Sequence, residues 1–327
     1  MLKTRIAALS AALLLATPIA LARDLKLADF QPPTHFIVDE AYKPFAKTIA
    51  EATGGEVTVS IFMGGELGPG PAEQYNRAVD GVADIVFGLP GYTAATFPKT
   101  LLAELPGVIA PETGTARMLA NLDKLSDEYR RVVLLALWNN APGQLLMAKK
   151  PVRSLEDLKG LKIRVPSRNA GLVVEAWGAT PVSMPAPEIY NAMQTGVVDG
   201  ALIDTTTLGA FRLKEVTKYV TIGMDTAISD FFLVMNRDSF NELTPEQQKI
   251  VLDAGHKAAV SANAAWLSRA GKALDDFAAA DGKELIKLAT EEAGKFNAAS
   301  APVVEKVIEE AEAQGIEARA YVDALRK

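Results

Sequence analysis

The chain has 327 residues, 34 Lys and Arg against 40 Asp and Glu, and a formal charge of -6 with no basic tract, a balance that argues against nucleic acid and anionic lipid as partners. It contains no cysteine, which excludes a disulfide framework, a thiol nucleophile and a lipid-modified N-terminal cysteine. Its length is that of about two domains, enough to bury a large interior.

The chain opens on Lys3 and Arg5, an apolar stretch from Ile6 to Ala16, and small residues at Ala20 and Ala22. This is the pattern of a secretory signal over residues 1–22, cleaved after Ala22; the apolar stretch is about half the roughly 20 residues of a membrane anchor. Loss of Lys3 and Arg5 takes the charge from -6 to -8. From Arg23 onward, short β-branched runs alternate with amphipathic helical stretches, the pattern of an α/β protein.

Leu25 to Ala28 reads as a first strand, and Ala41, Phe45 and Ile49 mark a helix closed by Gly54-Gly55. Val57, Val59 and Ile61 alternate with polar residues and predict a strand. After it comes a helix near residues 72–80, then Val79-Asp80-Gly81 and a strand over 82–87. The order recurs: Pro181 to Met184, a helix opened by Pro187-Glu188, then Val198-Asp199-Gly200 and the strand Ala201-Leu202-Ile203. Two lobes on one plan would explain the echo, with a ligand crevice at the strand ends between them. Coincidence between two common helix-Gly-strand turns remains the alternative.

Between the copies, Lys149-Lys150-Pro151 marks entry into the second lobe. Leu161 to Val165 is a strand stopped by Pro166, with Leu161, Ile163 and Val165 on one face and Lys162 and Arg164 on the other. Leu243-Thr244-Pro245-Glu246 starts a long Ala-rich helical stretch, and a last helix spans about residues 303–325.

The groups of an exported hydrolase are sparse. There is no G-x-S-x-G elbow, no GxxxxGK[ST] phosphate loop and no H-x-x-x-H pair, since His35 and His256 are far apart. Asp84, Asp199 and Asp204 could pair in space, but such residues more often cap and bend the chain. The expectation is a protein that is not an enzyme and takes no cofactor and no metal.

Gly160 to Pro166, Gly178-Ala179-Thr180-Pro181-Val182, Glu188-Ile189-Tyr190 and Gln194 to Gly200 follow one another at short spacing. This run resembles the substrate-binding proteins of tripartite ATP-independent periplasmic (TRAP) transporters, of the DctP type. The likeness extends back through Thr53-Gly54-Gly55, Gly65 to Gly68 and Phe97-Pro98 and forward through Lys214 to Tyr219. It implies a periplasmic-binding-protein-like α/β fold of two lobes, with hinge strands and a long connecting helix. Lobe I would be 23–141 plus 230–268, and lobe II 142–229 plus 269–327. It further implies a periplasmic protein that hands a small carboxylate to membrane permease subunits. A sensory module that shows its closed form to a receptor kinase is the alternative.

By the same resemblance Arg164 clamps the ligand carboxylate, a role that suits a guanidinium with two parallel donors; a structural ion pair is the other reading of such a residue. Where the sialic-acid binders of the family carry a second arginine, this chain has Gln144. Their other recognition positions correspond to Ile203, Ala186, Leu89, Tyr92 and Phe30, which are mostly apolar or aromatic and do not suit a polyhydroxylated ligand. The expected ligand is a carboxylate with an apolar or aromatic body. Phe30, Tyr92 and Trp138 would stack on it, Gln144 and His35 would make neutral polar contacts, and Asp204 could hold a hydroxyl or ammonium. Trp138 is preferred over Trp266, which lies in a helix, and Trp177 reads as packing.

Overall fold

The computed structural model describes residues 22–327; the expected signal segment lies outside the described residues, Ala22 excepted. In chain order the strands are β1 Arg23–Ala28, β2 Val57–Phe62, β3 Ile85–Gly88, β4 Val132–Asn139, β5 Gln144–Met147, β6 Lys162–Val165, β7 Thr180–Ser183, β8 Gly200–Ile203, β9 Tyr219–Ile222, β10 Asp230–Asn236 and β11 Glu284–Lys287. They form a five-stranded sheet ordered β2-β1-β3-β10-β4 and a six-stranded sheet ordered β11-β9-β5-β8-β6-β7.

The two orders are the same plan. In each sheet the strand next to one edge, β1 or β6, pairs in parallel with both neighbours, β2 and β3 or β7 and β8. An antiparallel strand then follows, β10 beside β3 and β5 beside β8. These antiparallel strands connect the sheets. The chain leaves the first sheet after Asn139 and enters the second at Gln144, then leaves the second after Ile222 and returns at Asp230.

The internal echo is therefore architectural, but its register differs from the sequence reading. Asp84, not Asp80, is the counterpart of Asp199, and the shared motif is Gly-Val-x-Asp at Gly81 to Asp84 and Gly196 to Asp199. Asp84 Oδ2 accepts the Lys26 backbone N–H at 2.8 Å, and Asp199 Oδ2 accepts the Lys162 backbone N–H at 2.9 Å. Each aspartate thus ties the start of its strand to the parallel strand beside it, β1 or β6. A hydrogen bond to the neighbouring strand, which Asp84 and Asp199 both make, fixes the matching position.

A third connection is the 34-residue helix Pro245–Ala278. Thr244 caps it, accepting the Gln247 N–H at 3.2 Å, while the Gln247 side chain accepts the Thr244 N–H at 3.1 Å. The helix packs on β4 and on the helix Lys43–Ala52, and reaches β11 of the second sheet. Its contact with β4 is close at Gly255, where a Cβ would lie 2.5 Å from the Leu135 carbonyl oxygen. Gly255→Ala should therefore destabilise by about 1–3 kcal/mol, because backbone must move to admit one methyl. Urea unfolding checks this, and an unchanged midpoint would mean the helix has room to shift.

Strand alternation sorts the core. Ile163, Val165, Leu145 and Leu202 join Phe232, Val234 and Leu137 in one continuous interior, whereas Leu146, Ala201 and Val220 pack on the opposite side of the second sheet. Leu25, Leu27, Phe87 and Leu233 pack under the long helix with Trp138 and Trp266. The last expected helix is two, Thr290–Ala313 and Ala318–Arg326, broken at Gly315 with φ 81°. The final helix, assigned from sequence to lobe II, packs on the helix Gly114–Leu119 of the first sheet's side, where Arg117 Nη1 donates to the Leu325 carbonyl at 2.7 Å. Trp177 is buried and donates through Nε1 to the Phe296 carbonyl at 3.1 Å.

Candidate functional site

Between the sheets lies a cavity. Its walls come from loops that leave β1 and β3, from the two crossings, from the ends of β6 and β8, and from the long helix. That is where open α/β sheets bind ligands, at the carboxyl ends of parallel strands.

Arg164 stands on β6, one residue before Val165 and Pro166 end the strand, and its side chain is 1% exposed. Nε donates to the Met184 carbonyl at 2.8 Å, and Nη2 reaches the Tyr92 hydroxyl at 3.4 Å. Among the described residues no carboxylate lies within 4.0 Å of the guanidinium. Burial pulls its pKa down, while Tyr92, Asp204 and Glu188 pull it back up. Met184 and Tyr92 thus hold the side chain and leave Nη1 free to meet an anion.

Tyr92 comes from the first-sheet side and crosses to the second. Its hydroxyl accepts the Ala186 backbone N–H at 2.8 Å as well as the Arg164 bond. Burial raises its pKa, so the phenol stays neutral. Phe30 packs 6.0 Å from the Tyr92 ring and 5.6 Å from Phe87, and both Phe30 and Leu89 line the cavity. Ala186 and Ile203 line the facing wall.

His35 is 3% exposed and stacks on Phe36 at 4.2 Å, with Trp266 at 5.4 Å. Its Nδ1 accepts the Ile37 N–H at 3.2 Å, which leaves the proton on Nε2. Burial lowers its pKa to about 3, so the ring is neutral. Asp204, at the end of β8, accepts the Thr206 N–H at 2.9 Å and the Thr206 hydroxyl on Oδ1, and the Asn140 amide at 2.9 Å on Oδ2. Burial raises its pKa and these bonds lower it.

Two expected residues are not brought to the cavity. Trp138 is 2% exposed and packs 5.9 Å from Phe231 and 6.4 Å from Trp266, so it backs the two aromatics that do line the space. The alternation of β4 turns it under the long helix, and Trp266, preferred less from sequence, takes the wall position. Gln144 pairs with Ile203 across β5 and β8, and its amide donates to the Pro142 carbonyl at 3.3 Å. It lies beside Ile203 and is not among the residues that line the cavity.

Sequence reasoning missed Asn140 and Ser229, which lie on the two crossings and are joined by the Asn140 N–H donating to the Ser229 carbonyl at 2.9 Å. Their signal was available, since both sit where one sheet is exchanged for the other. Phe231, Phe211 and Thr207 also line the space, brought there by β10 and the turn after β8. Nothing local distinguishes them from core or turn residues.

Comparison with known proteins gives one answer. The chain is similar to a solved TRAP solute-binding protein from a marine metagenome, described as specific for aromatic acid ligands and solved with 3-hydroxybenzoate: 28% identity, 94% of this chain and 97% of that one covered, TM-score 0.86. A TRAP periplasmic protein of Bordetella bronchiseptica with bound (R)- and (S)-mandelate matches at 27% identity over 93% and 97%, TM-score 0.83. One of Pseudomonas putida F1 with bound D-glucuronate matches at 28% over 93% and 98%, TM-score 0.80. The family model for bacterial extracellular solute-binding proteins, family 7, matches residues 27–311. The fold that carries the cavity and the sequence that builds it thus agree, and the chain belongs to the DctP family of bacterial extracellular solute-binding proteins.

Proposed function

We propose that this protein is exported with loss of residues 1–22, captures a monocarboxylate with an apolar or aromatic body in the periplasm, and delivers it to the membrane permease of a TRAP uptake system. The ligand lies between lobe I (23–141 plus 230–268) and lobe II (142–229 plus 269–327, the last helix of which reaches back onto lobe I), which close by hinge motion at residues 140–143 and 223–229. The single observation that carries the reading is Arg164, a cation 1% exposed with no carboxylate within 4.0 Å among the described residues, on the wall of a cavity. A buried charge left uncompensated is costly. A ligand carboxylate removes that cost and gains charge-assisted hydrogen bonds from the free end of the guanidinium.

The body of the ligand follows from the other walls. Phe30, Tyr92, Phe211, Phe231 and Trp266 offer ring faces and edges. His35, neutral and with one donor, adds no second positive charge, which disfavours a dicarboxylate. The aromatic-acid and mandelate complexes of two similar proteins support the same choice, and the glucuronate complex of a third supplies the competing class.

A thermal-shift screen of the purified mature protein tests the reading. Benzoates, phenylacetates and mandelates should raise the melting temperature; at about one hundred times Kd a native-state ligand adds about 2.7 kcal/mol, a shift of several degrees. Sialic acid and glucuronate should give none. A sugar acid as the best ligand, or no response to any carboxylate, would remove it.

A further inference from the structure

Among the described residues, six buried side-chain polar atoms have no hydrogen-bond partner, and Asn140 Oδ1 is the one whose residue lines the cavity. Asn140 is 4% exposed. Its orientation is set, because Nδ2 donates to Asp204 Oδ2 at 2.9 Å and the oxygen end is left over. A buried acceptor without a donor is costly in the way a lost hydrogen bond is costly. Asn140 Oδ1 therefore asks for a donor.

Asn140, Asp204 and Arg164 line both the main cavity and the smaller one that adjoins it. Asp204, bonded to Asn140, is also close enough to Arg164 to act on its charge. Asn140 and Arg164 thus line the same two cavities, and no aromatic residue lines the smaller one. We infer that the ligand is a 2-hydroxy acid, with its carboxylate on Arg164 and the hydrogen of its 2-hydroxyl given to Asn140 Oδ1. This rests on the carboxylate reading of the site and narrows it.

Other donors fit less well. An ammonium at the 2-position has three hydrogens to place: Asp204 Oδ1 already accepts both the N–H and the hydroxyl of Thr206, and Oδ2, which accepts the Asn140 amide, has room for one more, so Asn140 Oδ1 and Asp204 Oδ2 together leave one hydrogen without an acceptor. A 2-keto acid turns a carbonyl oxygen toward an oxygen and gives no hydrogen. Asn140 is thereby a specificity-determining residue: its oxygen accepts from one ligand class and repels the oxidised one.

Isothermal titration of the wild-type mature protein with mandelate, phenylacetate, phenylglyoxylate and phenylglycine tests the inference. Mandelate should bind at least about tenfold more tightly than each of the others, as the loss of one buried hydrogen bond implies. In Asn140→Ala the preference for mandelate over phenylacetate should fall from at least about tenfold to within about threefold, whatever the change in the two affinities together. Should that variant fail to fold, the wild-type series decides alone. Equal binding of phenylacetate and mandelate overturns the hydroxyl assignment and leaves the carboxylate reading standing, and tighter binding of phenylglycine overturns it in favour of an ammonium. Binding of none of the four acids, nor of a benzoate, removes both.

Discussion

Arg164→Ala should abolish the ligand-dependent rise in melting temperature and weaken binding of an aromatic acid by at least about a hundredfold. A charged hydrogen bond contributes about 1.5–3 kcal/mol, and a two-toothed contact in a water-poor cleft lies at or above the upper end. Arg164→Lys keeps the charge but loses the fork and the Nε bond to the Met184 carbonyl, and should fall between the two. The unliganded protein discriminates further. Arg164→Met removes a buried cation that has no carboxylate within 4.0 Å among the described residues, so its melting temperature without ligand should equal or exceed that of the wild type. A structural ion pair would behave in the opposite way, with the unliganded protein destabilised and ligand affinity kept.

The second large effect is on pH. Glu104 is 1% exposed, and its Oε1 accepts the Ser167 hydroxyl at 2.6 Å from the opposite lobe. Burial raises its pKa to about 8, against the Ser167 bond that lowers it. Asp230, at the start of β10, is pushed well above its ordinary value by burial and then by Glu104 and Glu128. No cation joins these carboxyls among the described residues. The folded state therefore holds protons that the unfolded state releases. Their stabilisation is complete below the ordinary carboxyl range near 4.5 and is lost as pH rises through about 8.

Asp29, raised by burial to about 6 and accepting the Tyr42 hydroxyl at 2.7 Å, acts in the same direction at lower pH. His35 acts oppositely: held neutral with a pKa near 3, it lowers stability as pH falls from about 6.5. Stability should be greatest at weakly acidic pH and decline toward pH 9, by up to about 1.4 kcal/mol per pH unit for each proton lost. In Glu104→Gln the Ser167 bond has an acceptor still and the titrating group is gone, so the decline between pH 6 and 8.5 should flatten. Melting curves over that range check it, and equal slopes in both proteins would place the titration elsewhere.

Much of this architecture was legible because local chemistry and fold agree. Val57 to Ile61 alternate and form β2, and the Thr244, Pro245 and Gln247 cap opens the long helix at the expected residue. The face assignment of β6 also holds: Ile163 and Val165 enter the core, and Arg164 turns to the cavity. The register of the repeat was not legible, since Asp80 and Asp84 both follow a helix and only the bond to Lys26 separates them. At the site the limits are tertiary. Trp138 and Trp266 face each other across one aromatic cluster, and which of them touches the cavity depends on how β4 meets the helix. Gln144 occupied a position marked by resemblance, yet Ile203 beside it and Asn140 before it form the wall. An orphaned oxygen such as Asn140 Oδ1 has no signature in sequence, because it is defined by the donors that packing fails to supply.

A crystal structure of the mature protein with a bound aromatic acid measures the central interaction directly. The expected result is a carboxylate within about 3 Å of the Arg164 guanidinium nitrogens, enclosed between the two sheets. A ligand whose acid group meets other residues, with Arg164 turned away from it, would contradict it.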